Sequence, residues 1–249
     1  EESYGSTTDI FNEENGLKAF VNLSYTKINN LYGGTFTDAA HTMYTADSEE
    51  NIKAIQALVD SDAITFDASI AGGDEIRLFR QGVLNVAFCW NIAQQLNADN
   101  NTAGLTNDGD EILFMAFPSE NGTDTKLCGG IWGFGIFDNG DANKIAASKL
   151  FIKYMADSAE GTKDAVLSST YFPVRDTVEG VDLTGIYSDV QAMSDYGTLM
   201  QYLGDYYQVT PGWAEARTAW WNMLQQVGSG VDVETAVNEF VTTSNAAAK

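Results

Sequence analysis

Apolar residues return at helical spacing in several stretches of the chain. In residues 16–28, Leu17, Phe20, Val21, Leu23 and Ile28 fall near one stripe, which predicts a helix. Ile52, Ile55, Leu58 and Val59 predict a second, whose start is marked by Asp47 three residues ahead of Glu50, the spacing of a capping box. The strongest pattern follows Asp141, read as an N-cap: Ala147, Leu150, Phe151, Tyr154 and Met155 stand at i, i+3, i+4, i+7 and i+8. Another helix is predicted from Ser158. Two more close the chain, one over residues 213–227 and one capped by Asp232 with Val233, Ala236, Val237, Phe240 and Val241 on one face.

Between these, β-branched and aromatic runs bounded by turn residues predict strands at 83–88, 112–117 and 131–137, with a short helix through Ile76, Leu78 and Phe79 before the first. Residues 97–110 (NADNNTAGLTNDGD) and the Asn121-Gly122 region carry only turn chemistry. A helix start is expected near Asn91, the stretch after Tyr187 reads as mainly helix, and the Ala-rich tail beyond Ser244 is expected to fray. No internal repeat is present.

Composition narrows the possibilities. With 249 residues, 44% of them hydrophobic and 12% aromatic, the chain can bury one large core or two small ones. Its 13 Lys+Arg face 35 Asp+Glu, a formal charge of -22 that repels phosphate backbones and anionic lipid alike, so nucleic acid is excluded as a partner. No apolar run reaches the roughly 18 residues of a membrane helix, and Glu1 to Tyr4 lack the basic and apolar regions of a signal peptide. The chain as given reads as soluble. Cys89 and Cys128 belong to no CxxC pair; both stand in strand-like surroundings, which leaves open either a bridge between neighbouring strands or two buried thiols.

Catalytic and cofactor signatures are weak. His41 is the one histidine, so no two-His zinc site can form, and it stands in a polar loop beside Asp38, the setting of a turn histidine. Gly133 and Gly135 begin a dinucleotide fingerprint, but Asp138 takes the place of its third glycine. Asp99, Asn101 and Asp110 mimic a calcium loop in which Ala103 replaces a ligand and no Glu closes the set. No cofactor or metal is expected. Carboxylates are plentiful enough for glycoside hydrolysis in principle, although most stand at caps and turns.

Tryptophans say more. Trp90 and Trp132 stand at strand ends, and Trp213 opens a helix behind Pro211-Gly212, positions from which an indole can offer a flat face to a sugar. Trp220 and Trp221 are adjacent on a helix and point about 100 degrees apart, so at least one belongs to the core.

Several segments, in the same order, resemble the extracellular solute-binding proteins of carbohydrate ABC importers, the broad family that includes maltose-binding protein. Residues 47–56 (DSEENIKAIQ) are similar to one of its helices, and 80–90 (RQGVLNVAFCW) to the strand that delivers a tryptophan to the ligand. Residues 116–118 (AFP) with 129–135 (GGIWGFG) resemble a later strand pair, 142–158 its "A-x-x-F-I-K-Y-L" helix, 171–175 (YFPVR) its "G-x-x-P-V-R" turn, and 230–240 its last helix.

The resemblance implies an α/β chain of the type II periplasmic-binding-protein fold: mainly the C-terminal lobe, from residues 1–127 and 179–249, with residues 128–178 joining the N-terminal lobe. It implies Trp90, Trp132, Trp213, Gly130 and Asn91 as ligand-binding residues, and no catalytic ones. Its implied partners are a mono- or oligosaccharide and the membrane subunits of an ABC permease, and the chain is read as a monomer. The full-length form would be extracellular or periplasmic and anchored as a lipoprotein. The family's opening strands and helices are not found, and Tyr4-Gly5 looks like a strand start well inside such a protein, so an N-terminal truncation is expected. Cys89 beside Trp90 has no counterpart in the pattern. A glycan hydrolase using paired carboxylates and a wall-associated adhesion module are the competing readings.

Overall fold

The computed structural model describes residues 19–20, 31–61, 64–65, 77–84, 108–109, 119–120, 127–128, 133–169, 171–188, 197–205 and 207–249. The described elements are mostly helical, with short strands of two or three residues. The chain divides into two compact units, one of Glu1–Trp90, Leu105–Gly129 and Leu199–Lys249, the other of Asn91–Gly104 and Gly130–Thr198.

In the first unit, helix α1 (Glu49–Val59) buries Asn51, Ala54, Ile55 and Leu58. Its N-cap is Ser48, which accepts from the Asn51 amide at 3.3 Å. The capping signal at Asp47 is therefore off by one: the hydroxyl that reaches the N3 amide belongs to the residue three before it. Helices α4 (Trp213–Gly228) and α5 (Val233–Ala247) pack against each other, and α1 lies on α5. The sequence-derived face of α5 is the observed one, since Val233, Ala236, Val237, Phe240 and Val241 are all buried. Asp232 caps it by accepting from the Thr235 amide at 2.9 Å.

The core of this unit centres on a loop residue. Phe36, 1% exposed, has ring centroids of Trp220 and Tyr207 at 5.3 Å and of Tyr44 and Phe240 at 5.6 Å. Trp220 is fully buried while its neighbour Trp221 is partly exposed, the division expected of adjacent helical positions.

The α5 tail does not fray. The Tyr44 amide donates to Asn245 Oδ1 at 2.8 Å and Asn245 Nδ2 returns a bond to the Tyr44 carbonyl at 3.0 Å, fixing the last turn to the loop that carries Phe36. Each such bond is worth about 1 kcal/mol net and opposes fraying of the last turn.

Short parallel pairs complete the unit: β1 (Ala19–Phe20) beside β2 (Ile64–Thr65), and β3 (Leu127–Cys128) beside β6 (Leu203–Asp205). The helix expected over 16–28 is thus contradicted at residues 19–20, where pairing with a distant strand overrides helical spacing. Leu203–Asp205 likewise interrupts the helical reading of the segment after Tyr187. Residues 77–80 form one helical turn, while 83–84 are not strand; the rest of the 83–88 expectation, that at 112–117, and the helix near Asn91 lie outside the described residues.

The second unit is built on α2 (Ala142–Asp157) and α3 (Ala159–Ser169). Asp141 caps α2 as its spacing predicts, accepting from the amides of Asn143 and Lys144 at 3.0 and 3.2 Å. At the corner between the helices the Ser158 hydroxyl donates to the Tyr154 carbonyl at 2.7 Å and accepts from the Gly161 amide at 3.0 Å. A hairpin of β4 (Thr177–Val178) and β5 (Val181–Asp182) turns through Glu179 and Gly180, both at positive φ, the conformation of a two-residue turn between twisted strands. Glu179 then reaches back and accepts from the Ala159 amide at 3.0 Å, satisfying a free donor at the start of α3. Of the strand expected at 131–137, residues 133–137 are not strand, and 131–132 lie outside the described residues.

Candidate functional site

Trp213 is the one sequence-derived site residue within the described set; Trp90, Asn91, Gly130 and Trp132 lie outside it. Trp213 is the first residue of α4, behind Gly212, whose φ of 71° turns the chain into the helix without a side-chain cap. The indole is partly buried. Its ring lies 5.1 Å from Tyr207, tilted by 50°, and 6.4 Å from Phe36 at 79°. It packs against the edge of the aromatic core and is partly exposed, whereas Trp220 is fully buried.

The rings that back Trp213 leave no trace in the sequence pattern. Phe36 and Tyr207 stand 177 and 6 residues away from it, and no periodicity joins them. Only the Pro211-Gly212 turn is a usable signal. The Pro211 carbonyl also accepts from the Tyr44 hydroxyl at 3.0 Å, so the turn is held by the same loop that supplies Phe36.

Several of the described carboxylates act as structural acceptors. Asp38 accepts from the Met43 amide at 2.9 Å, the Thr42 hydroxyl at 2.7 Å and the Thr42 amide at 2.6 Å, and these bonds lower its pKa. Asp182 is lowered by the amide and hydroxyl of Thr184, Asp232 by those of Thr235, and Glu50 by its own amide and the Ser48 hydroxyl. A general acid for glycoside hydrolysis needs the opposite shift. His41 sits at φ 52° in the Asp38 turn, with Nδ1 3.1 Å from the Thr37 hydroxyl, as expected of a turn histidine. Among the described residues no three His, Cys, Asp or Glu side chains gather as a metal site, and no helix is long and apolar enough to cross a membrane.

Two tyrosines shift upward. Burial, then the charge of Glu215, pushes Tyr44 to about 12, and burial pushes Tyr187 to about 12. The Tyr187 hydroxyl lies 2.8 Å from the Val166 carbonyl and 2.9 Å from that of Tyr171, sharing its proton between them. Unfolded tyrosine ionises near 10. These two groups therefore stabilise the fold fully below pH 10, and the contribution is lost as pH rises from 10 towards about 12. Chemical denaturation across that range should show stability falling with pH, with a shallower fall in Tyr44→Phe and Tyr187→Phe; equal slopes in all three proteins would contradict the assignment.

No protein-family model and no curated protein matches the chain. Solved structures do. An ABC-transporter solute-binding protein from Agrobacterium radiobacter K84, in complex with ribitol, superposes with a TM-score of 0.68 over 97% of this chain at 14% identity. An ABC substrate-binding protein from Listeria monocytogenes, in complex with cycloalternan, superposes with a TM-score of 0.60 over 97% of this chain, again at 14% identity. The fold is therefore that of the solute-binding proteins of ABC transporters. The chain spans 62% and 61% of the lengths of these two proteins.

Proposed function

We propose that this chain acts as an extracellular solute-binding protein that captures a carbohydrate or sugar alcohol and delivers it to an ABC importer. The observation that carries this reading is the fold shared over 97% of the chain with two such proteins, one holding ribitol and one cycloalternan. In this reading residues 1–127 and 179–249 belong to one lobe and 128–178 contribute to the other, and ligand is enclosed by lobe closure. The two compact units of the chain are also discontinuous, but with other bounds: residues 91–104 and 179–198 group with 130–178. Trp90, Trp132 and Trp213 serve as stacking surfaces, with Asn91 and the Gly130 backbone supplying polar contacts. No bond is made or broken, the protein acts as a monomer, and its partners are the sugar and the permease subunits.

Calorimetric titration with a panel of pentitols, monosaccharides and linear and cyclic glucans, beside an assay for released reducing ends, tests the proposal. Saturable binding without turnover supports it; turnover, or no response across the panel, overturns it. Within that panel, Trp213→Ala should raise Kd by about tenfold, the loss of roughly 1 kcal/mol or more of ring stacking, and Trp213→Phe should recover part of it. Unchanged affinity with a large loss of stability would make Trp213 a packing residue only.

A further inference from the structure

The turn that leads into α2 brings together the groups of an intramolecular reaction. Residues 138–141 read Asp-Asn-Gly-Asp, and Asp138, Asn139 and Gly140 are all exposed. The Gly140 amide donates to Asp138 Oδ1 at 2.9 Å, so its proton already points at a carboxylate. The Asp141 amide donates to Asn139 Oδ1 at 3.1 Å, which polarises that side-chain carbonyl and would stabilise negative charge developing on its oxygen. Gly140 sits at φ 76°, and a Cβ built on it would meet nothing within 4 Å, so that side of its backbone is open. A nitrogen nucleophile, a proton acceptor and an activated carbonyl therefore share one short turn.

We infer that Asn139 is a site of spontaneous modification, converting to aspartate and isoaspartate through a succinimide closed by the Gly140 nitrogen. That nitrogen attacks Asn139 Cγ while its proton passes to Asp138. A C–N bond forms, the Cγ–Nδ2 bond breaks, and the proton leaves with Nδ2 as ammonia. Water then opens the ring at either carbonyl. The net change is water taken up and ammonia released, with no change in oxidation state and no other reactant. Both products add a carboxylate just ahead of α2, where the positive end of the helix favours negative charge. The isoaspartate form also carries Cβ into the main chain, two residues before the Asp141 cap. None of this depends on the carbohydrate reading above.

Ageing the folded chain at mildly alkaline pH, followed by peptide mapping with electron-based fragmentation, measures the reaction. A mass gain of about 1 Da at Asn139, divided between aspartate and isoaspartate, is expected. The contribution of the turn is read by ageing the same chain in urea: the folded rate should exceed the urea rate by about threefold or more. Asp138→Ser keeps an acceptor for the Gly140 amide but removes the carboxylate, and should slow the folded reaction by about threefold or more. Gly140→Ala should slow the reaction at least about tenfold in urea, where folding is not at stake, because its Cβ crowds the attacking nitrogen. A folded rate equal to or below the urea rate would show that the turn does not promote the reaction and would overturn the inference. An Asp138→Ser protein that ages like the wild type, or an Asn139 that stays intact in both conditions, would overturn it as well.

Discussion

Phe36→Ala should lower unfolding free energy by about 3–5 kcal/mol, the range for emptying a large aromatic site in a packed core. Five rings define that site: Tyr44, Tyr207, Trp220 and Phe240 lie within 5.6 Å of Phe36, and Trp213 at 6.4 Å. Four of them are buried and held by different elements, so they cannot close together over the gap without moving α4 against α5. The residue is also tied through its backbone, its carbonyl accepting from the Thr45 amide at 3.0 Å. Urea unfolding of the wild type, Phe36→Leu and Phe36→Ala measures the effect, with the leucine variant falling between the other two. A loss below about 1 kcal/mol for the alanine variant would show that the loop can leave the core at little cost.

Gly212→Ala should be nearly as damaging, for two reasons that add. Its φ of 71° costs a residue with a Cβ about 1–2 kcal/mol. That Cβ would also stand 2.8 Å from the Ala247 carbonyl carbon, 2.9 Å from its oxygen and 2.9 Å from the Ala248 nitrogen, all backbone atoms at the end of α5. Relief requires the helix end to shift, which disturbs the Asn245 bonds to Tyr44 and the Tyr44 bond to Pro211. A total of about 3 kcal/mol or more is expected, a fall in Tm of about 6 °C or more for a chain of this size. Gly230→Ala is the control, because Gly230 has φ 92° but a Cβ there would meet nothing within 4 Å, so only the conformational cost applies. If the two variants lose equal stability, contact with α5 contributes nothing and the steric argument fails.

The helices of the last third are legible because their information is local. Asp141 and Asp232 announce their caps within three residues, and the stripe from Val233 to Val241 needs no partner to be recognised. Errors arise where a distant segment intervenes. Residues 19–20 pair with 64–65, so their helical spacing counts for nothing. The tail after Ser244 has the composition of a fraying end but is held by a residue 201 positions away. At the candidate site, Trp213 can be picked out by its place behind Pro211-Gly212, whereas the rings behind it cannot.

The sequence by itself determined the helix caps and faces, the acidic surface, the turn setting of His41 and the ordered set of segments that resembles a solute-binding protein. Tertiary structure decided that Phe36, a loop residue, forms the centre of the aromatic core, that Trp220 is buried while Trp213 is partly open, and that Gly212 must remain glycine. The reason is range. Capping and helical periodicity act over a few residues and leave a readable trace, while ring packing, close backbone approach and strand pairing depend on which remote segments the fold brings together.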